Sequence, residues 1–177
     1  MKKMALAGLL LAAMGGASAQ VYVGGGFGPS HVNIDCPAIL GNCDTSDTGY
    51  KVYGGYKLNP SVALEVAYVD FGKAKFTGGS FATDGFLINA AFRHNFTREL
   101  NGVARLGVAT LDTKLSGPRV IGGSQTDSST KIYVGLGAEY ALQKNLKVTA
   151  GADFTSAEFQ GDSGAVRLFS IGAQYDF

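Results

Sequence analysis

The chain has 177 residues, with 15 Lys and Arg against 14 Asp and Glu, 26 glycines, four prolines, two cysteines, two histidines and no tryptophan. A net charge this close to zero gives no field to recruit nucleic acid, and two histidines with two cysteines leave little from which to build a metal centre. The length fits one domain, and the glycine content suits many short strands and turns.

In chain order, Lys2 and Lys3 precede an apolar run from Met4 to Met14 and the small tripeptide Ala17-Ser18-Ala19. This pattern predicts a secretory signal over 1–19, with the mature domain over 20–177. Gln20 follows the cut; it is not a cysteine, which argues against a lipid-anchored product. Without the signal, the two lysines are lost and 13 bases face 14 acids. Beyond residue 19 no apolar run approaches the roughly 18 residues of a spanning helix, so a membrane location requires a closed barrel.

Eight segments then alternate with period two. Val21, Val23 and Phe27 oppose Tyr22, Gly24 and Gly26, and Pro29 is expected to break this first segment. The second sets Tyr50, Val52, Tyr56 and Leu58 against Lys51, Tyr53, Gly55 and Lys57; the third sets Val62, Leu64, Val66 and Tyr68 against Ala63, Glu65, Ala67 and Val69. In the fourth, Phe86, Ile88, Phe92 and Phe96 share a face opposite Asn89, Ala91 and Arg93. The fifth opposes Leu106 and Val108 to Val103, Arg105 and Ala109. The sixth sets Ile132, Val134, Leu136, Tyr140 and Leu142 against Tyr133, Gly135, Gly137 and Glu139; the seventh sets Leu146, Val148 and Phe154 against Lys147, Thr149 and Asp153. The last places Phe169, Ile171, Ala173, Tyr175 and Phe177 on one face and Leu168, Ser170, Gly172, Gln174 and Asp176 on the other.

An apolar face ending in aromatics on the last strand suits a lipid-facing wall, so the fold class predicted is all-β, an eight-stranded antiparallel up-and-down transmembrane barrel. Tyr56, Phe96, Tyr140, Tyr175 and Phe177 are the expected membrane-interface aromatics. His94 and Arg167 fall on the outward face but close to the strand ends, where an interface is within reach.

The connections alternate too. Those at Asn59-Pro60-Ser61, Thr97 to Asn101 and Gln143-Lys144-Asn145 are short, whereas the predicted loops Pro29–Thr48, Gly72–Ala82, Thr113–Thr130 and Ser156–Ala165 are long and polar. Short periplasmic turns and long external loops are the expected arrangement. Cys36 and Cys43 fall in the first long loop, and export through an oxidising compartment predicts a local disulfide between them.

Several stretches resemble the eight-stranded transmembrane domain of OmpA-type outer-membrane proteins: Val21-Tyr22-Val23-Gly24, Gly54-Gly55-Tyr56-Lys57-Leu58-Asn59-Pro60-Ser61-Val62, Ala104-Arg105-Leu106-Gly107 with Asp112-Thr113-Lys114, and Gly137-Ala138-Glu139-Tyr140-Ala141. The resemblance implies an outer-membrane location and a lumen holding charged side chains. It matches Glu65, Glu139 and Arg105 to lumenal positions of that family, while a lumenal lysine and a second arginine align with Ala91 and Thr149; Arg93 is one inward step away. The longer proteins of that type continue into a peptidoglycan-binding module, which is expected to be absent here.

The inward charges Glu65, Arg93, Arg105, Glu139, Lys51 and Asp153 form the candidate site. With the turn between the fourth and fifth segments centred on Glu99, Arg93 would lie directly opposite Arg105, a repulsive pair that Glu65 and Glu139 could neutralise. Side chains nearly fill an eight-stranded barrel, so this cluster reads as a plug of ion pairs, with a narrow pore for small solutes as the alternative. Catalysis is not expected: His31 and His94 have no nucleophile and orienting group arranged around them, and the His-x-Ser of lipid A deacylases is missing. The expected role is structural or surface-exposed, with no cofactor and no metal. Loop-mediated adhesion or reception is a further alternative through Phe76, Phe81, Phe159 and the polar 122–130 stretch. The partners expected are outer-membrane lipid and lipopolysaccharide, and the barrel-assembly machinery acting through the C-terminal strand. The loops name no ligand.

Overall fold

The computed structural model describes residues 20–32, 46–76, 79–116, 125–159 and 162–177; for strand residues 74–76, 79, 81, 115, 116, 125, 126, 157–159, 162 and 163 it describes the backbone alone. The strands are β1 Val21–Val32, β2 Ser46–Asn59, β3 Val62–Phe76, β4 Gly79–Asn95, β5 Leu100–Ser116, β6 Gln125–Ala141, β7 Leu146–Phe159 and β8 Asp162–Asp176. Each pairs antiparallel with its sequence neighbours, and β1 pairs with β8, so the sheet closes into a barrel with order β1-β2-β3-β4-β5-β6-β7-β8.

Period-two alternation decides which side chains face out. Ile132, Phe86, Ile88 and Val66 are 61–72% exposed on the outside, while Tyr22, Ala63, Leu111 and Leu168 are fully buried inside. Such an apolar exterior is costly in water and favourable in lipid, which also demands the closed sheet because no backbone group can be left unpaired there.

Side chains fix the short turns. Asn59 Oδ1 accepts from the amides of Ser61 and Val62, both at 2.9 Å, and Thr97 Oγ1 accepts from those of Glu99 and Leu100 at 3.2 and 3.0 Å. Asn145 Nδ2 donates to the Asp176 carbonyl at 2.8 Å, tying the β6–β7 turn to the end of β8.

The strands run beyond the apolar segments, and this corrects the predicted loops. Pro29 lies inside β1, opposite Thr48 of β2. Proline is tolerated because the ladder to β8 is interrupted at Gly28 and Pro29, where no donor is required. The stretches around 72–76, 79–82, 113–116, 125–130, 156–159 and 162–165 are strand as well. Outside lipid a strand needs only its backbone partners, so polar Ser and Thr continue it without alternation. Cys36 and Cys43 with their expected disulfide, the 1–19 signal, and the side chains of Phe76, Phe81 and Phe159 lie outside the described residues.

A second correction concerns the β4–β5 register. Arg93 pairs with Val103, and Arg105 pairs with Ala91. The turn closes with Phe96 N–H donating to the Leu100 carbonyl at 3.0 Å, so its centre is Arg98 rather than Glu99. The two arginines are therefore offset by one inward step, and the directly opposed repulsive pair does not form.

Candidate lumenal site

The inner face is organised in two zones. At the short-turn end, ion pairs run without a break across seven strands. Lys57 of β2 meets Asp176 of β8 at 2.9 Å; Asp176 meets Lys147 of β7 at 3.0 Å; Lys147 meets Glu139 of β6 at 3.3 Å. Glu139 then binds Arg93 of β4 at 3.1 Å, Arg93 binds Glu65 of β3 at 3.2 Å, and Glu65 binds Arg105 of β5 at 2.7 Å. Glu65 also accepts the Tyr22 hydroxyl at 2.6 Å. Its two oxygens thus serve two guanidinium groups and a phenol, which is how a buried carboxylate is kept solvated by protein donors.

Two tyrosine rings brace the cations. The Arg93 guanidinium lies 4.6 Å and the Lys57 ammonium 5.7 Å from the Tyr22 ring centre. Arg105 and Lys51 approach Tyr53 at 5.4 and 5.7 Å. At these distances the ring quadrupole attracts the charge.

Lys51 and Asp153 form a separate pair. Lys51 Nζ donates to both Asp153 oxygens at 2.7 and 2.6 Å, and the Tyr133 hydroxyl donates to the same carboxylate. Between this pair and the first group lies a small polar cavity bounded by Tyr53, Arg105, Glu139, Thr149 and Ser170.

Toward the other end the inner face is more apolar, with Ser30, Thr83 and Thr113 as its buried polar side chains. Val69 and Phe71 of β3, Leu87 of β4, Leu111 of β5, and Val166 and Leu168 of β8 are each at most 1% exposed. A Cβ placed on Gly49 of β2 would stand 3.0 Å from Leu168 Cδ1 and 3.3 Å from Phe71 Cα, so this layer is packed across the lumen.

All six predicted lumenal charges thus point inward, in two groups. Lys57, Lys147, Asp176, Tyr22 and Tyr133 were not among them, although all five share the inward parity of their strands. What alternation could not supply is which inward residues meet across the lumen. Tyr56, Phe96, Tyr140, Tyr175 and Phe177 are outward and 39–66% exposed, and the Tyr175 and Phe177 rings pack at 5.1 Å. A second outward aromatic group, Tyr50, Tyr68 and Phe86, joins them from β2 to β4 at the opposite end, with ring centres 6.3 and 5.3 Å apart. His94 is exposed and stacks edge-on against Phe96 at 5.3 Å, while Arg167 is exposed on β8 beside His31. Among the described residues no group of three His, Cys, Asp or Glu could hold a metal ion.

A closed antiparallel barrel with an apolar exterior, aromatic groups at both ends and an ion-paired lumen is a transmembrane β-barrel of the outer membrane. The OmpA-like transmembrane domain family matches residues 16–175, and the chain belongs to that family. Outer membrane protein A of Salmonella typhi is 28% identical over 142 residues, 73% of this chain and 40% of that protein. Outer membrane protein A of Shigella flexneri is 26% identical over 139 residues, again 73% of this chain and 40% of the relative. The chain thus spans about 40% of the length of these curated relatives. Among solved structures, Neisserial surface protein A aligns with a TM-score of 0.72 at 15% identity, covering 89% of this chain and 97% of that one. Ail of Yersinia pestis aligns at 0.61 and 18%, covering 91% and 100%. At these identities the likeness is one of fold. The protein is located in the outer membrane, in contact with its lipid and lipopolysaccharide.

Proposed function

We propose that the protein is a closed, non-catalytic barrel that contributes to envelope structure and presents strand extensions and loops outside the cell. The observation that carries this is the filling of the lumen. Glu65, Glu139 and Asp153 are at most 2% exposed inside the barrel, and Leu87, Leu111 and Leu168, the last the register partner of Asp153, are at most 1% exposed. Side chains packed this closely leave no continuous water path for an ion to follow. His31 and His94 both sit on the outward side, away from any inner polar cluster, which supports a role without general-base chemistry. The outward aromatics at the two ends are the interface anchors, and β8, with Tyr175 and Phe177 outward, is the segment through which the barrel-assembly machinery would engage the chain.

The test is ion conduction across planar bilayers in potassium chloride. The expected record is flat for the wild-type protein and remains flat for Arg93→Ala. Reproducible conductance steps in the wild type, altered by Arg93→Ala or Glu139→Gln, would instead favour the second reading, a narrow pore for small solutes. The cavity beside Thr149 and Ser170 is the observation that keeps that reading in play.

A further inference from the structure

The long ion-pair chain of the lumen alternates in sign from end to end: Lys57, Asp176, Lys147, Glu139, Arg93, Glu65, Arg105. It therefore begins and finishes on a cation, four positive groups against three carboxylates. The two ends are not equivalent. The Lys57 side chain is 21% exposed next to the short turns, where periplasmic water completes its solvation. The Arg105 side chain is 7% exposed in the middle of the lumen, and its one carboxylate, Glu65, is shared with Arg93 and the Tyr22 hydroxyl. The excess positive charge that protein groups leave unmatched thus falls at Arg105, where a low dielectric makes it costly.

The donors of Arg105 are only partly used. Nε and Nη2 both go to Glu65, at 2.7 and 3.4 Å. Nη1 lies 3.5 Å from where a Cβ on Gly137 would stand and makes no hydrogen bond among the described residues. The polar cavity lies against this side chain, with Lys51 and the hydroxyls of Tyr53, Thr149 and Ser170 around it and room for a single water-sized or monatomic guest. Gly151 forms part of its wall.

The lining also includes Glu139, but that carboxylate is already taken by Arg93 at 3.1 Å and Lys147 at 3.3 Å. Asp153, beside the cavity, has both oxygens on Lys51 Nζ and accepts the Tyr133 hydroxyl as well. No carboxylate is therefore left to attract a cation, whereas a guanidinium N–H and hydroxyl groups are left to receive an anion. A neutral water would fill the space and leave the charge.

We infer that this cavity is a binding site for one monatomic anion, a halide of the size of chloride, held by Arg105 with Lys51 and the hydroxyls of Thr149 and Ser170. The bound ion terminates the alternating chain, following Arg105 as Glu65 precedes it. Sulfate, phosphate and organic anions are too large for the space. The ion is a resident of the folded barrel, and its binding requires no conducting path.

The test is urea unfolding of the full chain in lipid vesicles, with sodium chloride or bromide exchanged for sodium gluconate at constant ionic strength. The folding equilibrium constant is expected to be higher in halide and to rise about tenfold for each tenfold increase in halide above half-saturation, as one bound ion requires. Two variants separate the site from a bulk salt effect. Ser170→Asp puts a carboxylate beside Arg105 in place of the ion. Gly151→Ala puts a methyl group into the cavity, its Cβ 3.4 Å from the Leu136 carbonyl and 3.7 Å from Ser170 Oγ, both ordinary contacts. Each should unfold at the same urea concentration in chloride and in gluconate. Crystals of the wild-type chain grown in bromide should show an anomalous peak beside Arg105 and Ser170, a measurement that stands even if a variant fails to fold. The inference is overturned if the wild type unfolds alike in chloride and gluconate, if both variants keep the halide response, or if the bromide crystals show only water at Arg105. Conduction across planar bilayers tests the closed lumen separately, so either idea can fail alone.

Discussion

The Tyr22 ring occupies the space that a Cβ on Gly55, its register partner on β2, would fill, and the Tyr53 ring stands in the same relation to Gly24 on β1. Each glycine makes room for the aromatic ring opposite it, and each ring in turn carries a cation of the lumen. This reciprocal pair is why two glycines are found in the middle of strands, where they otherwise weaken a sheet.

Gly55→Val is therefore expected to displace Tyr22 from Glu65 and Arg93 and to destabilise the barrel by about 1–3 kcal/mol, the usual cost of overpacking. Equilibrium unfolding in urea from lipid vesicles would measure it. A variant as stable as wild type would mean that the ring has another place to go.

Arg93→Ala leaves Glu65 with Arg105 and Tyr22, and Glu139 with Lys147 alone. Removing one partner of a buried pair costs about 3–5 kcal/mol. The double variant Arg93→Ala with Glu139→Gln should lose less than the sum of the two single changes, because the second substitution removes a charge the first had stranded. Strict additivity in the unfolding free energies would mean that Arg93 and Glu139 are not coupled.

Leu168→Ala opens a cavity in the apolar layer next to Phe71 and Gly49. A loss of about 2–5 kcal/mol is expected, read as a lower urea midpoint with the barrel's gel migration retained.

On the outer face, Val66 is 61% exposed in the centre of β3. Val66→Arg should cost about 2–4 kcal/mol in a bilayer, against about 0–1 kcal/mol for Thr110→Arg near the rim. Equal penalties at the two positions would displace the lipid band from where the exposed apolar residues put it.

Alternation made much of this legible from residues alone. The parity of Val66 and Glu65, or of Tyr175 and Asp176, already separates lipid face from lumen, because a strand has no third direction in which to point a side chain. Eight such segments, with no apolar run of helical length, leave closure as the only membrane solution. The strand ends were less legible: once outside lipid, Ser128 and Thr130 need only a backbone partner, and no hydrophobic pattern marks them.

What the amino-acid sequence by itself determined is therefore the set of inward and outward residues and the number of strands. Tertiary structure decided the rest. Whether Arg93 opposes Arg105 or Val103 depends on a single residue's difference in turn closure at Thr97, and which carboxylate Lys51 reaches depends on how the closed sheet brings β2 and β7 together across the lumen. Pairing across space is set by register and closure, and neither is encoded in the period of one strand.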